Sequence, residues 1–290
     1  MEEPTAFDAT PAPVPEESGV CPECHGRGWK VVPDGGAGSA VRCDCLKRRR
    51  GVLYLERAGI PERYRHCRLK NFETTNPSPE VGQQLLRAHK TCELYVKSFF
   101  DPRESRFRES GLLFVGPPGI GKTHLAVAVL TELIQGYQVR GRFVDFTALL
   151  YQIQSTFDDD SRETKESILR PIIEAEVMVL DELGAQKPTE WVRDTLYLIM
   201  NTRYTRRLTT IFTTNHPLSR AKVDEIETKR QRVLARGKMP STKPAEEPLA
   251  ERISPLLVSR LYEMAQVVDM TGCKTDYRRE VKMHRHRVGG

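Results

Sequence analysis

Apolar residues along this chain fall into two rhythms. Some runs are short and continuously apolar: Leu112-Leu113-Phe114-Val115, the centre of Arg142-Phe143-Val144-Asp145-Phe146, and Val177-Met178-Val179-Leu180. Ile211-Phe212, inside Thr209-Thr210-Ile211-Phe212-Thr213-Thr214-Asn215, and Ala265-Gln266-Val267-Val268-Asp269-Met270 complete the set. Such runs predict strands with both faces buried, as in a parallel sheet. Between them the apolar spacing becomes helical. Helices are expected over residues 125–134, from Thr147 through Phe157, over 163–175, over 189–206 and over 253–264. Thr147 is the candidate cap of the second of these. Upstream, residues 81–100 also carry helical spacing, and 101–110 read as a charged connector. Alternation of strand and helix predicts an α/β fold.

Two segments lack such a rhythm. Residues 1–19 are proline-rich and acidic with little to bury, which reads as disorder. Residues 219–250 are highly charged and carry Pro240, Pro244 and Pro248, which reads as a mobile insertion with one helix near 222–236. No apolar run approaches the roughly 20 residues that span a bilayer, and the N-terminus has no signal-peptide pattern. The expectation is a cytoplasmic protein with no membrane association.

The chemistry concentrates where strands meet helices. Gly116-Pro117-Pro118-Gly119-Ile120-Gly121-Lys122-Thr123 sits between the first predicted strand and its helix, and its G-x-x-x-x-G-K-T spacing is the P-loop pattern. Its glycines let backbone N–H groups curl around phosphate oxygens, and the helix N-terminus beyond adds partial positive charge. Lys122 would reach the β- and γ-phosphates of ATP, and the Thr123 hydroxyl would ligate Mg²⁺. About sixty residues later the strand 177–180 ends in Asp181-Glu182, a Walker B pattern. Asp181 would hold the magnesium, and Glu182 would polarise the attacking water. Asn215, at the end of the fourth strand, can orient that water or contact the γ-phosphate, although a plain turn asparagine reads the same way.

A second chemistry precedes the α/β region. Cys21 and Cys24 form a C-x-x-C pair, and Cys43 and Cys45 follow beyond a glycine-rich loop between two short predicted strands, 29–32 and 40–42. Four thiols in two close pairs suit a tetrahedral Zn²⁺ site, with His25 as an alternative ligand. Cys67, Cys92 and Cys273 stand alone and read as small apolar residues. Net charge is +6, and much of the surplus lies in residues 42–70, which include a basic helix expected over 46–60, and in the tail from Lys274 to Arg287. Basic patches of this kind attract nucleic acid or acidic protein surfaces.

Together these blocks resemble the AAA+ ATPases, and within them the bacterial replicative helicase loaders of DnaC/DnaI type and their IstB relatives. The residues that carry the resemblance are 116–124, Val179-Leu180-Asp181-Glu182-Leu183-Gly184, Trp191-Val192-Arg193-Asp194, Thr213-Thr214-Asn215 and Ser259-Arg260-Leu261-Tyr262-Glu263-Met264. It implies a three-layer αβα domain with a five-stranded parallel sheet and no separate lid domain, over residues 111–280. A small zinc-binding module (20–60), a helical linker (61–110) and a basic tail (281–290) would accompany it. It extends the nucleotide loop to His124, makes Asn215 a sensor of the γ-phosphate, and makes Arg260 an arginine finger that reaches a neighbouring subunit's nucleotide, with Arg252 as competitor. Pro61-Glu62-Arg63-Tyr64, Asn71-Phe72 and Asp276-Tyr277-Arg278 also look like loader sequences. The implied partners are a replicative DNA helicase, single-stranded DNA (contacts such as Arg140 and Arg142) and further copies of the chain. An IstB-like transposition helper shares the same nucleotide site.

Overall fold

The computed structural model describes residues 21–33, 38–76, 78–157, 164–186, 189–218 and 247–272. The expected tail 1–19, the helix near 222–236, Cys273, Asp276-Tyr277-Arg278 and the basic C-terminal segment lie outside them. The chain divides into two units, Met1–Arg50 and Gly51–Gly290.

The first unit holds an antiparallel hairpin of β1 (Trp29–Val32) and β2 (Ser39–Arg42), followed by the start of α1 (Asp44–Arg57). Its buried apolar cluster is Cys21, Cys24, Cys43 and Cys45. The hairpin strands are largely exposed on both faces.

In the second unit, α2 (Pro79–Lys97) leads to a small hairpin, Phe100–Asp101 (β3) paired with Arg106–Phe107 (β4), where the sequence reads as a plain connector. Strand β5 (Gly111–Val115) then starts a series of parallel strands: β6 (Gly141–Asp145), β7 (Val177–Asp181), β8 (Thr209–Thr214) and β9 (Ala265–Asp269). They form one five-stranded sheet in the order β6–β7–β8–β5–β9, with every neighbouring pair parallel. The expected α/β architecture is therefore present.

The uninterrupted apolar runs have a direct cause. Alternate side chains of one strand enter two different cores. Leu112 and Phe114 of β5 join a cluster with α2 and α3 (Lys122–Tyr137). Leu113 and Val115 join one with α4 (Phe146–Gln154), α5 (Lys165–Ile173), α6 (Glu190–Thr205), α7 (Leu249–Ile253) and α8 (Pro255–Met264). Each of these four β5 side chains is essentially inaccessible to water, and each burial contributes roughly 1.5–3 kcal/mol.

Two local expectations need correction. Helix α4 is capped by Asp145, whose Oδ1 accepts the Ala148 N–H at 3.0 Å, and Thr147 lies inside the helix. The helix expected over 253–264 is present but starts at Pro255, capped by Ser254 with φ of 104°, and Ile253 instead ends the short α7 before it. Proline at the first helical position loses no hydrogen bond there, so it marks a start.

Arg203 of α6 is fully buried. Its Nε–H donates to Thr210 Oγ1 at 2.8 Å, Nη1 to Ala175 O at 2.7 Å and Ile172 O at 3.1 Å, and Nη2 to Thr209 O at 2.6 Å. The guanidinium thereby ties the end of α5 to the start of β8, and burial pushes its pKa down to about 9.

Candidate functional site

β5 is an interior strand, paired with β8 on one side and β9 on the other. Its carboxyl end releases residues 116–121, and α3 begins directly after them. Ligands of open α/β sheets gather at this end of the strands. Gly119 and Gly121 take left-handed backbone angles, φ 82° and 97°, and a Cβ on Gly121 would meet the Phe72 ring at 2.7 Å. A bare backbone is thus required at Gly121 by conformation and by space.

Four sequence-predicted residues, Lys122, Thr123, Asp181 and Asn215, meet at the loop. Lys122 Nζ donates to Pro117 O at 2.8 Å and to Asn215 Oδ1 at 2.6 Å. Thr123 Oγ1 donates to Asp181 Oδ1 at 3.0 Å. Lys122 and Asp181 are buried. Burial raises the Asp181 pKa, and the hydroxyls of Thr213 and Thr123 work against that rise by donating to the carboxylate. Glu182 follows immediately, exposed, with φ 59°. A left-handed non-glycine residue costs about 1 kcal/mol or more, so its backbone must be held by its surroundings.

His124 turns to the lead-in segment. Its Nε2 lies 3.1 Å from both Arg68 O and Asn71 Oδ1, and its ring packs edge-on to Phe72. Burial lowers its pKa, and His66 and His89 nearby add to the effect. With Phe72, His66, Gly119 and Ile120 it lines a cavity of about 250 Å³ beside the P-loop.

Arg260 is half-buried on α8. Its Nη1 donates to Asn201 Oδ1 at 2.5 Å, and its guanidinium lies 5.1 Å from the Tyr197 ring centre and 5.6 Å from that of Tyr204. Arg252 instead donates to Gly184 O and to Glu247, at 2.6 Å for the latter. Arg140 pairs with Glu176, and Arg142 donates to Arg57 O at 2.7 Å.

The donor sets fit the expected metals. The Thr123 hydroxyl and Asp181 carboxylate are hard oxygen ligands beside a phosphate-type loop, which suits Mg²⁺. The Sγ atoms of Cys21, Cys24, Cys43 and Cys45 all lie within 4.8 Å of one another, a soft, closed set of the kind that structural zinc takes. His25 is exposed and outside that cluster. Cys67 and Cys92 are buried in the second unit, and burial lifts the Cys92 thiol to about 12, which keeps it unreactive.

Two parts of the site were not foreseen: Thr213, which bonds Asp181, and the His66–Phe72–His124 packing against the loop. The Asn71-Phe72 pair was the available signal for the second.

Comparison with known proteins agrees with this geometry. The family model "IstB-like ATP binding protein" matches residues 94–224. The replicative helicase loader DnaC of Escherichia coli is 26% identical over 183 residues, covering 61% of this chain and 68% of that protein. An insertion-sequence ATP-binding protein of Geobacillus stearothermophilus is 32% identical over 127 residues, covering 43% of this chain and 44% of that protein. An uncharacterised Bacillus subtilis protein is matched over 50% of its length, so the chain spans about half to two thirds of these curated relatives. A crystal structure of the DnaC helicase loader is 30% identical, covers 72% of this chain and 99% of that one, and superposes with a TM-score of 0.53.

Proposed function

Because this chain belongs to the IstB/DnaC-like family of ATP-binding proteins, we propose that it is an ATP-hydrolysing helicase loader of the AAA+ class. It would bind ATP between subunits and act on a replicative DNA helicase and single-stranded DNA in the cytoplasm. The observation that carries the reading is the convergence of Lys122, Thr123, Asp181 and Asn215 at the carboxyl ends of β5, β7 and β8. Phosphoryl transfer needs positioning and charge neutralisation more than covalent chemistry, and this set supplies both.

In this reading the backbone of residues 116–121 cradles the phosphates, and Lys122 exchanges Asn215 and Pro117 for phosphate oxygens. Thr123 and Asp181 hold Mg²⁺, which would neutralise charge on the β- and γ-phosphates. Glu182 orients water for attack, Asn215 senses the γ-phosphate, and Arg260 serves the nucleotide of a neighbouring copy. Cys21, Cys24, Cys43 and Cys45 hold Zn²⁺ and stabilise the first unit. Among the described residues no helix is long and apolar enough to cross a membrane.

A second reading, a helper of DNA transposition, is favoured by the insertion-sequence relative. Affinity capture from the native cell, with ATP and with a non-hydrolysable analogue, separates the two. Recovery of the replicative helicase supports the loader, and recovery of a transposase without helicase overturns it.

A further inference from the structure

The two Walker B carboxylates leave β7 through a turn that the end of β8 grips. The ladder between these strands reaches Leu180 and Phe212. Beyond it, threonine side chains take over. Thr213 Oγ1 donates to Asp181 Oδ1 at 2.6 Å and accepts the Glu182 N–H at 3.0 Å. The Leu183 N–H donates to Thr213 O at 2.8 Å, and Thr214 Oγ1 donates to Leu183 O at 2.8 Å. Both threonines are buried, at 1% and 0% exposure.

One hydroxyl has one proton to give and lone pairs to receive, so the two Thr213 bonds coexist without conflict. They also have distinct effects. The donated bond fixes the rotation of the Asp181 carboxylate, whose Oδ1 and Oδ2 then lie 3.0 and 3.3 Å from the Thr123 hydroxyl. The accepted bond pins the backbone N–H of Glu182, whose left-handed φ sets the direction in which that exposed side chain leaves the strand. Valine would fill the same space and could make neither bond. Serine could make both.

We propose that Thr213 is a positioning residue for ATP hydrolysis, acting through Asp181 and Glu182 and touching no substrate itself. This inference rests on the hydrolytic reading above. It separates the role of Thr213 from that of a strand-forming β-branched residue, for which its methyl group alone would matter.

The test uses the full chain, with steady-state ATP turnover, fluorescent-nucleotide binding and thermal melting measured on each variant. Thr213→Val should lower kcat by about 10²-fold, the scale of a misplaced catalytic group, while Mg²⁺-free nucleotide Kd stays within about threefold. Thr213→Ser should keep turnover within about threefold of the parent, because the hydroxyl is retained. In a Glu182→Gln background the valine substitution should add little, since residues that act as a unit lose activity non-additively. A folded valine variant as active as the parent overturns the proposal, as does a loss in the serine variant equal to that in valine. Multiplicative losses with Glu182→Gln overturn it too. If the valine chain does not fold, a serine variant that falls about tenfold or more below the parent overturns the proposal. A parent with no turnover, alone or with its captured partner, fails the hydrolytic reading itself and this inference with it.

Discussion

Lys122 Nζ and Asn215 Oδ1 are 2.6 Å apart, so the P-loop lysine is joined to the end of β8 by a charge-assisted hydrogen bond. Nucleotide must compete with that bond for the ammonium group. Lys122→Ala should therefore abolish measurable ATP turnover, by roughly 10²–10³-fold or more, as for loss of one preorganised charge in a transition-state site. Asn215→Ala should lower kcat while leaving nucleotide affinity equal or tighter, because it also frees Lys122. Turnover assays with nucleotide titration read both; unchanged turnover in Lys122→Ala would point to a site that only binds.

Arg260 lies against Tyr197, Tyr204 and Asn201 within its own chain. If it serves a neighbour's nucleotide, Arg260→Ala and Lys122→Ala proteins should each be inactive alone and partly active when mixed. The expected loss for Arg260→Ala is about 10³-fold, the lower end for an arginine finger. Failure of the mixture to recover any turnover would assign Arg260 a purely structural role, joining α8 to α6.

Metal removal should act on one unit only. A strong chelator, or Cys21→Ser with Cys43→Ser, should release one zinc per chain and unfold residues 21–50, since a closed thiolate site supplies much of a small module's stability. The parallel sheet should keep its thermal transition. Metal analysis with circular dichroism reads the outcome, and full metal retention in the double variant would refute the ligand set.

Arg203 satisfies the Ile172 and Ala175 carbonyls behind β8. Arg203→Met keeps volume but strands these buried acceptors, and should destabilise the second unit by about 2–4 kcal/mol in urea unfolding. A change under about 0.5 kcal/mol would mean that water replaces the guanidinium.

Burial holds the His124 pKa below its ordinary value. A depressed histidine favours the fold when neutral, so its contribution is complete above pH of about 6.5 and is lost as pH falls through the folded value. Thermal stability of the parent should fall below pH 6.5 more steeply than that of His124→Gln. Parallel profiles would remove this role.

The centre of the sheet was legible because β5, β7 and β8 are buried on both faces, which leaves no polar alternation to confuse them. The P-loop and Asp181-Glu182 were legible from spacing alone. Less visible were features set by long-range packing. Arg203 reads as a solvent-facing helix residue, and only the approach of α5 and β8 makes it internal. Thr213 reads as an ordinary strand former, since nothing local reveals that its hydroxyl meets a carboxylate 32 positions earlier. The cap of α4 was misread because Asp145 and Thr147 are both good caps two residues apart, and the strand register decided for Asp145.

The place of β5 between β8 and β9 has a consequence for hydrogen exchange. Its amides are shielded by a neighbouring strand on either side and by an apolar layer on either face, so they should exchange with solvent only through global opening. The nucleotide loop therefore springs from the slowest-exchanging part of its unit. Motion on nucleotide binding should therefore be carried by the residues around the loop, while its foundation stays fixed.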